Sequence, residues 1–161
     1  MNEPLVATLA DALRARGWRL VTAESCTGGL HAAACTSAAG ASDWFERGFV
    51  SYSNAAKTEL LGVPAALIER HRAVSDADAR AMAEGALRHA PADIALAVTG
   101  IAGPGGAVPG KPVGTVWLGL AVQGRATATE LLQLGGDRAA VRGQTVRVAL
   151  RRLAAAVAAC P

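Results

Sequence analysis

The first residue with a chemical role to test is Ser25, within the segment Ala-Glu-Ser-Cys-Thr-Gly-Gly at residues 23–29. The residues before it predict a short strand over 19–23, and the small residues after it predict a helix from about residue 30 to 36. Open α/β sheets bind ligands at such strand ends, and the free N–H groups at a helix start attract anions. Ser25 is therefore a candidate nucleophile beside donors for a tetrahedral intermediate. An ordinary strand-to-helix turn with a capping hydroxyl group explains the same residues.

A second segment, Tyr-Ser-Asn-Ala-Ala-Lys at residues 52–57, supplies a candidate base. Lys57 comes five residues after Tyr52, at the end of a predicted strand, so its side chain can reach back into a cleft. Burial of a lysine favours the neutral amine, which can accept a proton. An ordinary surface lysine fits the same spacing. Ser53 is a second-choice nucleophile, because it can touch Lys57 along the helix edge.

The cysteines and histidines give weaker indications of a catalytic or metal-binding role. Cys26 is an alternative nucleophile, since a thiol at a helix start can be acidified, although a small buried residue is the plainer interpretation. The three cysteines show no CxxC or Cys/His spacing, and the three histidines are isolated. The sequence therefore predicts no disulfide, no metal site and no cofactor.

A glycine-rich loop at residues 99–112 follows another buried-type strand and suits the wrapping of a phosphate or planar ligand. Part of it, from Gly105 to Lys111, matches the first seven positions of a P-loop. The eighth position is Pro112, which has no hydroxyl group for magnesium, and a strand rather than a helix follows. Hydrolysis of nucleoside triphosphates is therefore excluded.

These segments lie along a chain whose predicted order is α-β-α-β-α-α-α-β-β-β-α, typical of an α/β/α sandwich with a mixed sheet. Asn54 and Asp137 are predicted helix caps, and Ser75 with Asp78 resembles a capping box. Gly124 predicts a hairpin between the last two strands. A length of 161 residues suits a single domain over 1–161, with 52% hydrophobic and 18% charged residues excluding disorder.

Composition also restricts location and partners. No apolar run approaches the roughly 18 residues that span a bilayer, and the first four residues show no secretory signal, so a cytoplasmic protein without membrane contact is expected. The formal net charge is +3, and arginines concentrate in the last predicted helix. Without interleaved aromatic residues, these arginines predict a solvated helix face rather than a nucleic-acid-binding stripe.

Taken together, the motifs resemble the CinA carboxy-terminal domain family over nearly the whole chain. The resemblance is carried by residues 23–29, 48–54 with Lys57, 61–63, 73–75, 99–104, 111–116 and 136–138 with Arg142. Two positions depart from the family pattern. Arg72 stands where the family usually has Gly, and residues 107–110 are an unusual version of the far side of the glycine-rich loop.

The resemblance implies a nicotinamide-nucleotide amidohydrolase of pyridine nucleotide salvage. Such an enzyme converts nicotinamide mononucleotide and water into nicotinate mononucleotide and ammonia by serine–lysine catalysis, without a metal. Carried over to this sequence, the family mechanism makes Ser25 the nucleophile, Lys57 the base and Tyr52 a hydroxyl group that relays or orients the proton. The implied oxyanion and substrate contacts are Thr27, Gly28, Gly29, Asn54, Thr99, Gly100, Ala102, Gly103, Arg138 and Arg142.

Several points stay open at this level. Arg138, Arg142 and Lys111 are alternatives for the phosphate contact. A homo-oligomer is expected, because small α/β domains with exposed loops often complete their sites across an interface. The alternative functions are a nucleotide-binding regulator without catalysis and a competence-associated or nucleic-acid-binding module.

Overall fold

The computed structural model describes residues 2–161, and within them the helices and strands follow the predicted order. The elements are α1 (Glu3–Arg16), β1 (Leu20–Glu24), α2 (Leu30–Thr36), β2 (Phe45–Val50), α3 (Asn54–Leu61), α4 (Ala65–His71), α5 (Asp76–Arg88), β3 (Ile94–Gly100), β4 (Thr115–Val122), β5 (Ala128–Gln133) and α6 (Arg138–Ala159). A short 3₁₀ turn at Ala41–Asp43 precedes β2. None of the described helices is long and apolar enough to cross a membrane.

The strands form one mixed sheet in the order β2-β1-β3-β4-β5. The first three are parallel to one another, β4 runs antiparallel to β3, and β5 runs antiparallel to β4. The predicted mixed sheet is therefore confirmed. The predicted hairpin is also confirmed, because Gly124 lies in the turn between β4 and β5 with a φ of 75°.

The two faces of the sheet bury two separate apolar cores, because successive strand side chains point to opposite faces. Leu20 of β1 and Ile94 of β3 belong to the core that α1 and α6 cover. Their chain neighbours Val21 and Ala95 belong to the core that α3, α4 and α5 cover. Helices on both faces make the fold an α/β/α sandwich, as predicted.

Helix α5 lies unusually close to the sheet and to α3. A Cβ atom added at Gly119 of β4 would lie 2.5 Å from the carbonyl oxygen of Ala79, and one added at Gly85 would lie 2.0 Å from that of Leu61. No real side chain fits at such distances, so glycine lets the backbones meet directly. These contacts hold the first turn of α5, which contains Asp78, against β4 and a later turn of α5 against the end of α3.

The helix starts differ in part from the prediction. Ser53, not Asn54, caps α3, since its side chain accepts a hydrogen bond from the Ala56 N–H at 3.0 Å. Asn54 is instead the first helical residue, so the predicted Asn54 cap is wrong. Asp137 caps α6 as predicted, accepting from the Ala140 N–H at 2.9 Å.

The capping box at α5 is only half formed. Ser75 accepts a hydrogen bond from the Asp78 N–H at 3.1 Å, as a cap should. The Asp78 carboxylate does not return to the Ser75 N–H; one of its oxygens accepts instead from the Val74 N–H and from Lys57. The acidic residue of the predicted box therefore has a different partner, 21 residues away in the chain.

Candidate active site

Ser25 follows β1 directly, in a turn organised by the buried carboxylate of Glu24. Its N–H continues the sheet by donating to the Val98 carbonyl at 3.0 Å, and the residue is 8% exposed. Glu24 is 1% exposed and accepts four hydrogen bonds from the residues that follow. The donors are Thr27 Oγ1 (2.7 Å) and the N–H groups of Gly29 (3.2 Å), His31 (2.9 Å) and Ala32 (3.1 Å).

The N–H groups that the sequence suggested for anion binding are thus partly engaged within the protein. Glu24 takes the Gly29 donor, and the Gly28 N–H donates to the Ser25 carbonyl at 3.1 Å. The negative charge of Glu24 also offsets the partial positive charge at the start of α2. The Thr27 N–H has no acceptor among residues 2–161.

Lys57 is buried to 1% exposure on α3, so the interpretation as an ordinary surface lysine is wrong. Its Nζ atom donates to Asp78 Oδ2 at 2.7 Å and to Thr99 Oγ1 at 3.2 Å. Thr99 in turn donates to the same Asp78 oxygen at 3.0 Å. Three elements, α3, α5 and β3, therefore hold one lysine amine in place.

One cavity of about 260 Å³ brings most of the predicted site residues together. The predicted site residues that line it are Ser25, Tyr52, Asn54, Lys57, Thr99, Gly100, Ala102, Gly103 and Arg138. Cys26 also lines the cavity. Thr27, Gly28, Gly29 and Arg142 were predicted with them but lie outside its lining.

The two rival nucleophiles differ from Ser25 in their surroundings. Burial raises the pKa of the Cys26 thiol to about 11, so the nucleophilic thiolate is scarce near neutral pH. Ser53 is exposed and serves as the cap of α3. Of the three candidate nucleophiles, Ser25 is thus the one with a hydroxyl group in the same cavity as Lys57.

Tyr52 and Arg138 form the rim of this cavity. Tyr52 is 58% exposed, and its hydroxyl oxygen accepts a hydrogen bond from Arg138 Nη2 at 2.9 Å. Arg138 Nη1 donates to the Gly103 carbonyl at 2.8 Å. The first residue of α6 therefore ties the glycine-rich loop to the segment after β2.

The other basic candidates support main-chain segments around the cavity. Arg142 donates to the carbonyls of Cys26 and Thr27, at 3.1 and 3.2 Å. Lys111 donates to the Ala73 carbonyl at 3.1 Å. Two further cavities adjoin the first: one of about 690 Å³ lined in part by Arg138 and Arg142, and one of about 540 Å³ lined in part by Arg72 and Lys111.

The backbone conformation at Arg72 explains why the family usually has glycine at this position. Its φ of 68° lies in the left-handed region, which glycine adopts readily and other residues adopt at a cost of roughly 1–3 kcal/mol. Val74, two residues on, has a φ of 57°. The backbone bend thus persists in this chain without the glycine.

Comparison with known proteins gives the same assignment as the motifs. The model of the CinA C-terminal domain matches residues 2–157. The chain belongs to the CinA C-terminal domain family. The nicotinamide-nucleotide amidohydrolase PncC of Enterobacter agglomerans is 51% identical over 147 residues, which cover 91% of this chain and 90% of that protein.

Other CinA proteins include one with the same fold and similar size and one that is much longer. A CinA superfamily protein from Klebsiella pneumoniae 700603 superimposes with a TM-score of 0.94 at 42% identity, covering 98% of both chains. A CinA-like protein of Mycolicibacterium vanbaalenii is 54% identical over 137 residues, 85% of this chain but 32% of its own length. The fold is therefore shared with proteins of similar size and with part of longer ones.

Asp78 and Glu24 are the site residues that sequence reasoning missed. Asp78 was interpreted as the partner of Ser75 in a capping box, and Glu24 was given no role although it precedes Ser25 directly. The sequence did offer one indication of a role for Asp78, because this residue lies only three positions after the family motif at residues 73–75. Among residues 2–161, no three His, Cys, Asp or Glu side chains are grouped so as to hold a metal ion.

Proposed function

We propose that this chain hydrolyses the carboxamide of nicotinamide mononucleotide to nicotinate mononucleotide and ammonia, as an amidohydrolase of pyridine nucleotide salvage. The observation that carries the proposal is the shared cavity, in which a serine at a strand end and a buried lysine lie with no intervening metal ligands. The name of the Enterobacter relative, 51% identical over nine tenths of the chain, supports this choice of substrate.

In the proposed reaction Ser25 is the nucleophile and Lys57 is the general base. The Ser25 proton moves to the Lys57 amine as the serine oxygen attacks the carboxamide carbon. The resulting ammonium donates that proton to the departing nitrogen, so ammonia leaves and an ester remains on Ser25. A water molecule then attacks the ester with Lys57 again as base, which releases the nicotinate carboxylate and restores the serine.

The oxyanion of the tetrahedral intermediate needs donors that are not already used. Since the Gly28 and Gly29 N–H groups donate within the turn, they are poor candidates. We place this role on the N–H of Cys26, the residue after the nucleophile, which lines the cavity and has no carbonyl acceptor among the described residues. The Thr27 N–H also lacks an acceptor among the described residues, but Thr27 does not line the cavity.

In this proposal the rim residues Arg138 and Tyr52 contact the substrate phosphate and orient or relay the proton. Arg138 is exposed and lines both the central cavity and the 690 Å³ cavity beside it, whereas Arg142 and Lys111 do not line the central cavity. Arg138 is therefore the preferred phosphate contact. Tyr52, held by Arg138, orients the substrate or relays a proton at the same edge.

The test compares two serines of the same region. Ser25→Ala should lower ammonia release from nicotinamide mononucleotide by several orders of magnitude while the circular dichroism spectrum stays unchanged. Ser53→Ala is the control, which should lose about 1 kcal/mol of stability through its helix cap but keep its activity. The reverse result would move the nucleophile to Ser53. A wild-type protein that binds the nucleotide without releasing ammonia would instead be a nucleotide-binding regulator.

A further inference from the structure

The buried carboxylate of Asp78 has an unequal distribution of hydrogen bonds. Its Oδ2 atom accepts three, from Lys57 Nζ (2.7 Å), Thr99 Oγ1 (3.0 Å) and the Val74 N–H (3.0 Å). Its Oδ1 atom has no partner among the described residues, although the side chain is fully buried. All the contacts of this carboxylate thus serve to fix one oxygen against the lysine.

The Lys57–Asp78 pair also neutralises charge at a buried position that water does not reach. A lysine ammonium with 2% side-chain exposure is costly unless an opposite charge lies in contact, and Asp78, with 0% side-chain exposure, supplies that charge. The other titratable side chains on the same cavity are Cys26, Tyr52 and Arg138. Since the raised pKa of Cys26 leaves its thiol neutral, it does not compete with Asp78 for the ammonium.

We infer that Asp78 is the positioning residue of the site: it fixes the Lys57 amine at the cavity and stabilises the ammonium that forms when Lys57 takes the proton of Ser25. This inference rests on the proposed function and adds a third member to it. The order nucleophile, base and acidic residue repeats the logic of a Ser-His-Asp triad, with lysine in the place of histidine.

The proton balance follows from this arrangement. Asp78 stays ionised throughout, and the fraction of Lys57 that is neutral reacts. The ammonium formed by transfer from Ser25 is then paired with Asp78 until it donates its proton to the leaving nitrogen. Asp78 forms no bond to the substrate and neither gains nor loses a proton.

Asp78→Asn tests the charge with little change of shape. The amide oxygen can occupy the position of Oδ2 and keep all three hydrogen bonds, while the amide nitrogen takes the position of the unpartnered Oδ1. We expect kcat to fall by about tenfold or more at its high-pH plateau, with KM little changed, since a weaker base accepts the proton. The pH of half-maximal kcat should move down, because without the carboxylate the neutral amine forms more readily.

The matched control is Asp76→Asn, which removes an exposed carboxylate from the same first turn of α5. It should leave both kcat and its pH profile unchanged. A purely structural role of Asp78 would lower the amount of folded enzyme without moving the pH profile. An Asp78→Asn enzyme with the wild-type plateau and profile would overturn the inference.

A second measurement does not depend on activity. The chain contains only two lysines, Lys57 and Lys111, so their side-chain NMR signals are easily told apart by mutation. The Lys57 signal should titrate at a lower pH in Asp78→Asn than in wild type, while that of Lys111 stays in place. If the variant does not fold, the wild-type spectrum decides, and a Lys57 signal of a neutral amine at pH 7 overturns the inference. Absence of ammonia release from the wild type would refute only the proposed function.

Discussion

The four hydrogen bonds of Glu24 make Glu24→Gln an informative change. A glutamine can keep its oxygen at the position of Oε1, which accepts from Thr27 Oγ1 and from the Gly29 and His31 N–H groups. Its NH2 group must then face the Ala32 N–H, so two donors oppose each other where Oε2 had accepted at 3.1 Å. The variant therefore loses one bond and the negative charge that strengthens the other three.

The expected magnitude follows from these contacts. Exchanging a charged for a neutral acceptor costs about 1 kcal/mol per bond, and the unpartnered Ala32 N–H costs about 1–3 kcal/mol more. Removal of a buried charge returns part of this, since an ionised group is costly to bury. We expect the free energy of unfolding to fall by about 2–4 kcal/mol.

Urea unfolding followed by circular dichroism measures this change. With a slope of about 2 kcal/mol per molar urea, the midpoint should fall by about 1–2 M. The control is Glu130→Gln, which breaks an exposed ion pair with Arg152 and should change stability by less than about 1 kcal/mol. Equal effects of the two substitutions would refute the assignment of Glu24 as the cap that holds the Ser25 turn.

Four further predictions concern the site and its surroundings. Lys57→Arg should be nearly as inactive in ammonia release as Lys57→Ala, because a guanidinium stays charged; an active Lys57→Arg enzyme contradicts the role of base. Cys26→Ala should remain active and the Cys26 thiol should resist iodoacetamide at pH 8, since burial raises its pKa to about 11. Burial lowers the pKa of His31 to about 4, so between pH 6.5 and 4 the unfolded chain binds more protons than the folded chain. The free energy of unfolding should therefore decrease as the pH is lowered from 6.5 to 4. His31→Leu should remove this dependence, and equal differences from wild type in urea titrations at pH 4.5 and 7 would count against it. Dialysis against a strong chelator should leave the rate unchanged, and activity restored by zinc or magnesium would show a metal requirement.

The architecture could be predicted because the elements have clear local patterns. Small and β-branched runs mark the strands, and glycine or a capping side chain marks the helix ends, as at Gly62 and Asp137. The order of the parallel strands has no such local mark, because β1 lies between β2 and β3 through packing of whole helices. The homo-oligomer expected from the sequence stays a prediction, which sedimentation would test.

The site could be predicted only as far as short segments reveal it. Ser25, Lys57 and the glycine-rich loop stand in recognisable motifs, and they line one cavity. The prediction failed where a residue fitted a local sequence pattern but its side chain contacts a residue far away in the chain. Asp78 fits a helix-capping pattern three residues after Ser75, but its carboxylate contacts Lys57, and no local spacing records a contact over 21 positions.

The buried pair of Lys57 and Asp78 also restricts how such a protein can evolve away from catalysis. Loss of the lysine alone would leave an uncompensated carboxylate in the interior, at a cost of about 3–5 kcal/mol, a large share of the stability of an ordinary domain. Loss of the aspartate alone would leave an uncompensated ammonium. A lineage that abandons the reaction is therefore expected to exchange both residues in close succession for a neutral pair, or to retain both long after selection for turnover has ended.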